Sequence, residues 1–371
     1  MSAAISSSHC SGNFRTAPRV HGVVYSRQHA LATLGWSRCS RLPSRVTGAQ
    51  KLPRWTAKRQ ARENFASSRT AALPDTPSIQ DLNKTYGIPG SVSITEGHNG
   101  LPMVLLTHEC GSSAAVYLYG ACVASWKQIS DDEVLFMRPD AVFDKTKPIS
   151  GGIPHCFPQF GPGVMQQHGF ARNLDWTVSS TSADLQPDEK DPEVELVLSD
   201  NEYTRSMWDH SFKLVYSVSL HGEELRTAYR VINTDDKPFE FTAALHSYFE
   251  VAGIQNATVR GLKGLTYLDK VVDAANPPSK EQTSESLSFS GPTDCVFLEA
   301  PEYLELDVGT GAAIAMSSTG WTDAVVWNPW EVMPSCYESF CCVENAAVSN
   351  PIKLAPGESW AAQTDFKVID L

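Results

Sequence analysis

From residue 91 to the C-terminus the sequence never sustains a helical period: no window of 12 residues or more repeats apolar side chains at three- and four-residue spacing. Apolar and polar residues instead alternate over short runs broken by Gly, Pro, Asn and Asp. In the run 212–221, Phe212, Leu214, Tyr216, Val218 and Leu220 alternate with Lys213, Val215, Ser217 and Ser219. A period of two places one set on a buried strand face and the other on a less buried one. Some twenty such runs, at 92–95, 103–107, 114–119, 122–128, 134–137 and onward to 340–344, 349–354 and 359–369, predict an all-β chain of large antiparallel sheets packed as a sandwich. Polar, Pro- or Ser-rich stretches at 184–192 and 276–288 read as surface loops.

Charge separates a first segment from this β region. Residues 1–74 hold 12 Lys and Arg against the single acid Glu63, a charge of +11, and the remainder carries −23, giving the overall −12. The basic segment is rich in Ser, Ala and Arg, and its apolar residues (Val23, Val24, Leu31, Leu34) are scattered rather than gathered as in a secretory signal. We read residues 1–72 as an organelle transit peptide directed to the chloroplast stroma, with mitochondrion or cytoplasm as alternatives. A basic nucleic-acid-binding arm is the competing reading, but no aromatic interleaving or known basic module supports it. Residues 73–90 read as a short helix or linker, and 91–371 as the β domain. No run of 18 apolar residues occurs, so no membrane-spanning helix is expected. The nine cysteines show neither C-x-x-C pairs nor zinc-like Cys/His spacing, which points to no disulfide framework and no structural metal. The adjacent Cys341 and Cys342 are expected on the two faces of one strand.

No Walker loop, dinucleotide-binding glycine motif, G-x-S-x-G elbow or EF-hand loop is present, which removes most nucleotide, hydrolase and calcium readings. The chemistry-bearing residues lie elsewhere. Residues 148–176, PISGGIPHCFPQFGPGVMQQHGFARNLDW, are dense in Pro and Gly, which stiffen the backbone around Gln167, His168 and Arg172. A ligand wall and a plain irregular loop are both compatible with that composition. His246 in FTAALHSYFEV and Glu344 in FCCVENAAV are ionisable groups set in apolar strands. Buried histidines are more often satisfied core residues than catalysts, whereas glutamate is rarely buried without a partner. Arg172 and Asp269 carry little signal alone, and Trp327 and Trp330 fit either core packing or a sugar-stacking platform.

Taken in order, GGIPHCFPQFGP, QHGFARNLDW, ALHSYFEV, YLDK, VVWNPW and CVENA resemble the hexose-6-phosphate mutarotases (glucose-6-phosphate 1-epimerases) of the galactose mutarotase-like superfamily. The resemblance spans about residues 88–369 and implies a β-supersandwich that interconverts α and β anomers. It implies His246 as general acid, Glu344 as general base, and Gln167, His168, Arg172 and Asp269 as substrate contacts. No cofactor or metal is required; the implied partner is a small sugar phosphate, with no nucleic acid, acting on a monomer or small oligomer. Ring opening needs a base for the C1 hydroxyl and an acid for the ring oxygen, with the roles reversed on closure. The surplus of negative charge is expected to keep His246 protonated beside an ionised Glu344. Two departures bear on the substrate. Many members of the family carry an arginine before GGIP that helps hold the 6-phosphate; here it is Ser150, and Lys145, Lys147 and Arg138 are the nearby cations that could replace it. The segment after VVWNPW reads EVMPSCYESF instead of the usual Lys- and Asp-containing one. A mutarotase for an unphosphorylated aldose and a non-catalytic subunit of an organellar complex are the alternative functions.

Overall fold

The structure, a computed structural model, describes residues 77–183 and 190–371. The segment read as a transit peptide and residues 184–189 of the 184–192 loop lie outside the described residues. Among the described residues are 21 strands in three sheets, every pairing between them antiparallel. This is the all-β sandwich that the alternating pattern predicts.

The domain opens on a helix, Ile79–Tyr86, capped by the Ser78 hydroxyl, which accepts the Asp81 N–H at 3.1 Å. Ile79, Leu82 and Tyr86 pack on the main core, and Asn83 Oδ1 accepts the Ile94 N–H at 2.8 Å. The segment is thus an integral helix, and the compact domain begins before residue 91.

A nine-stranded sheet forms the back of the molecule. From one edge it runs Ser286–Ser288, Thr258–Arg260, Tyr303–Asp307, Ala312–Thr319, Ser359–Asp370, Glu224–Asn233, Phe212–His221, Glu193–Ser199 and Thr177–Ser182. The alternation read at 212–221 is realised: Phe212, Leu214, Tyr216, Val218 and Leu220 are all buried. Burying each such side chain contributes about 1.5–3 kcal/mol, which fixes which face turns inward.

The front sheet runs Ser279–Glu281, Thr266–Asp269, Thr293–Leu298, Asp323–Asn328, Phe340–Leu354, Phe239–Leu245 and His155–Cys156, with Tyr248–Glu250 also paired to the Phe340 strand. Val92–Glu96, Pro102–Thr107, Ser113–Tyr117 and Val123–Lys127 form a separate four-stranded sheet. The inner faces meet through aromatic contacts: Phe366 of the back sheet lies 5.7 Å from Phe249 and 6.4 Å from Trp126, and Trp360 lies 5.8 Å from Phe241. The outer face of the front sheet is left free to carry polar groups.

Candidate active site

Pairing in the front sheet decides which side chains share that outer face. Residues directly opposite across a ladder lie on the same side, and successive residues on opposite sides. Glu344 pairs with Val325, Val325 with Val296, and Val296 with Leu268, so these four share one face. Leu245 pairs with Asn345, which brings the next residue, His246, opposite Glu344 where the Phe239 strand ends. Cys341 joins the main core while Cys342 packs with Tyr248 and Phe340, the two-faced arrangement expected of that pair.

The distances confirm this convergence. His246 Nδ1 lies 3.4 Å from Glu344 Oε1, and both side chains are almost fully enclosed. Among the described residues neither His246 Nδ1 nor Glu344 Oε2 has a hydrogen-bond partner, an expensive condition for buried polar atoms and a frequent mark of a working site. His246 is held by its surroundings. Its backbone N–H donates to Pro154 O at 2.9 Å, its ring stacks on Tyr248 at 4.7 Å, and Trp327 meets it edge-on at 5.5 Å.

The Pro/Gly-rich stretch supplies the adjoining wall. Phe157 and Phe170 anchor it in the core, and Gln159 ties its projecting loop by accepting the Met165 N–H at 3.1 Å and donating to Gly161 O at 3.0 Å. His168 sits at φ 62° with its ring 5.6 Å from His246. Its Nδ1 accepts the Gly161 N–H at 3.1 Å and lies 3.2 Å from Cys156 Sγ. A backbone N–H can only donate, so the ring proton sits on Nε2, and the Gln167 amide, 3.1 Å away, must turn its oxygen to the ring to accept it. Arg172 donates to Gln167 O at 2.8 Å, while its buried Nε has no acceptor among the described residues.

Asp269 is placed differently from the other candidates. It pairs with Cys295, and the row continues through Val326 to Val343, on the face opposite Glu344. Its carboxylate accepts Lys280 Nζ at 2.6 Å and the Val271 N–H at 3.1 Å. The next residue, Lys270, is the one that turns to the site: its Nζ lies 4.9 Å above the Phe160 ring. Lys270 and the half-buried Asp294 both act electrostatically on Glu344. Sequence reading missed both. Lys270 ends the YLDK motif and could have been noticed there, whereas Asp294 belongs to a strand, Thr293–Leu298, that was not anticipated.

The electrostatics reverse one expectation. Burial pushes His246 down to about 3, with the Arg172, Arg138 and Lys270 charges adding to the effect, and burial raises the Glu344 carboxyl well above the usual carboxylate range. His168 is likewise lowered, to about 2, by burial and by His246. The acidic surplus of the whole chain does not govern the imidazole, because desolvation and three nearby cations outweigh distant, screened carboxylates. Burial therefore favours a neutral imidazole beside a protonated carboxyl in the resting pair.

A family model described as aldose 1-epimerase matches residues 102–367. The chain belongs to that family. As a member it is an epimerase that interconverts the anomers of an aldose. Among curated relatives, it is 38% identical over 291 residues to a Cenchrus ciliaris protein named, provisionally, as a glucose-6-phosphate 1-epimerase, covering 73% of this chain and 86% of that one. An Escherichia coli protein with the same provisional name is 33% identical over 255 residues, covering 65% and 82%. Among solved structures, a provisionally named mutarotase from Salmonella typhimurium superposes with a TM-score of 0.68 at 27% identity, covering 78% of this epimerase and 99% of that chain. No helix among the described residues is long and apolar enough to cross a membrane.

Proposed function

We propose that this epimerase acts on glucose 6-phosphate or a closely related hexose 6-phosphate, with His246 and Glu344 as its acid–base pair. The observation that carries the assignment is the 3.4 Å approach of two buried ionisable groups that leave His246 Nδ1 and Glu344 Oε2 without hydrogen-bond partners among the described residues. The relatives named for glucose 6-phosphate support the substrate class, as do the cations Arg172 and Lys270 beside the pair.

The proton balance follows from the resting state. Between them the two groups hold one proton. With that proton on His246, ionised Glu344 takes the proton from the C1 hydroxyl while His246 gives its own to the ring oxygen, and the C1–O bond to the ring opens. Glu344 is then protonated and His246 neutral, the arrangement that burial favours. Rotation about C1–C2 presents the other face of the aldehyde. On closure His246 removes the proton from the C5 hydroxyl and Glu344 returns one to the carbonyl oxygen. Burial favours the arrangement found both at rest and after ring opening, so moving the proton from Glu344 to His246 is a cost that contacts to the bound sugar must offset before the ring breaks. Gln167, His168 through its Nε2–H, and Arg172 hold sugar oxygens; Asp269 acts indirectly by fixing the turn that presents Lys270.

Two-dimensional exchange NMR of the anomers tests this reading. The protein should accelerate exchange, and Glu344→Gln and His246→Ala should each reduce the rate by about 10²–10⁴-fold while the circular dichroism spectrum is kept. Full activity in either variant would remove that residue from the mechanism. We further propose that residues 1–72 direct the protein to the plastid stroma, where it acts as a monomer or small oligomer. The basic, acid-poor composition of that segment supports the targeting; import of a fluorescent fusion and sedimentation of the mature protein test the two statements.

A further inference from the structure

We propose that Arg138 recognises the anionic group of the substrate, supplying from the neighbouring strand the guanidinium that position 150 lacks. The inference rests on the proposed hexose 6-phosphate activity and assigns the residue that distinguishes phosphorylated from plain sugars.

The backbone places the two positions side by side. Met137 bridges Gly151, the Arg138 N–H donates to Ser150 O at 3.1 Å, and the Gly152 N–H donates to Phe136 O at 2.9 Å. Arg138 and Ser150 are therefore directly opposite in a narrow antiparallel pair, where Cβ atoms stand about 4.5–5.5 Å apart. Closer approach is enforced at Gly151, where an added Cβ would fall 2.6 Å from both Met137 Cα and Phe136 O. A long side chain at 138 can thus occupy the space that one at 150 would fill.

The guanidinium also has the right surroundings. Its side chain is only 18% exposed, and its charge is felt at His246 and at Tyr248, the ring stacked on His246. Its one acidic partner among the described residues is Asp140, bound through Nε at 2.9 Å and Nη2 at 2.6 Å; that carboxylate is 65% exposed. Nη1 and the second N–H of Nη2 have no acceptor among the described residues, so the fork can receive a phosphate without losing its carboxylate. The other cations near position 150 are less suitable. Lys145 is bound to Asp175 at 2.7 Å and faces solvent, and Lys147 is exposed.

The test compares anomer exchange of glucose 6-phosphate and glucose by NMR in the wild-type protein, Arg138→Ser, Lys270→Ala and the double variant Arg138→Ser/Ser150→Arg. Arg138→Ser should lower the ratio of kcat/KM for glucose 6-phosphate over glucose by about 10–100-fold, the worth of a lost charge-assisted phosphate contact. Restoring the guanidinium at position 150 should recover most of that ratio. An unchanged ratio in Arg138→Ser would overturn the assignment, and a collapse of that ratio in Lys270→Ala beside it would pass the role to Lys270. If the wild-type protein accelerates glucose but not glucose 6-phosphate, the substrate reading itself fails. If it prefers glucose 6-phosphate and Arg138→Ser keeps that preference, only the present inference fails.

Discussion

At the scale of single residues, the site works by withholding charge. His246 and His168 are flanked by Arg172 and Lys270, and burial keeps both rings neutral. Their values of about 3 and about 2 lie far below the ordinary 6.5. We therefore expect the ¹⁵N ring shifts of both to report neutral imidazoles at pH 5, with His168 protonated on Nε2. A titration of either ring with a midpoint near 6.5 would contradict the geometry. The principal groups were readable because buried ionisable residues stand out in apolar strands: His246 in ALHSYF and Glu344 in CVEN. Their protonation was not readable, because it depends on enclosure and on cations that arrive from positions 138, 172 and 270.

At the scale of elements, glycines let the wall approach the sheet. Gly169, at φ 70°, carries the chain past Phe157, and a Cβ there would stand 2.2 Å from Phe157 O. Gly169→Ala should cost at least ~2 kcal/mol in chemical denaturation, since both backbone conformation and contact are violated. Gly357→Ala, at φ 79° with nothing within 4 Å of the added atom, should cost only about 1–2 kcal/mol. Strand alternation was legible wherever one face was clearly polar. It failed in three ways. TDCVFL gives no clean alternation and so no strand signal, yet Thr293–Leu298 is a strand. Residues 134–137 were expected as a strand but make only isolated bridges, to Phe249 and Gly151. The runs 340–344 and 349–354 predict two strands where the structure has one of 15 residues, Phe340–Leu354. Its Pro351 falls where the pairing with the Phe239 strand slips, between Phe241–Ile352 and Ala243–Ala347, so no ladder hydrogen bond is sacrificed there.

At the scale of the whole molecule, histidines enclosed in neutral form make stability depend on pH. His155 lies among Trp176, Tyr216 and Tyr229 at 4.9, 4.4 and 5.3 Å, and burial pushes it down to about 3. The unfolded chain binds a proton at this position below about 6.5, whereas the folded chain does so only below about 3. Stability is therefore full above 6.5 and declines as pH falls through that window, by about 1.4 kcal/mol per pH unit for this residue. Glu344, raised in the fold, acts in the opposite sense above the ordinary carboxylate range. In urea unfolding between pH 6 and 4, His155→Leu should show a slope shallower than wild type by one proton; an equal slope would show that His155 charges within the fold.

The last strand, Ser359–Asp370, does not lie at an edge. It enters the middle of the back sheet, between Ala312–Thr319 and Glu224–Asn233. The two halves of that sheet, strands 177–233 on one side and 258–319 on the other, are joined along it only when this segment arrives. Such distant pairing makes folding slow and late. A ribosome that stalls before residue 359 leaves two open edges and a protease-accessible chain, even though Glu344 has already been made. Deleting Ser359–Asp370 should therefore abolish anomer exchange although His246 and Glu344 both remain, because the sheet behind them would be split in two.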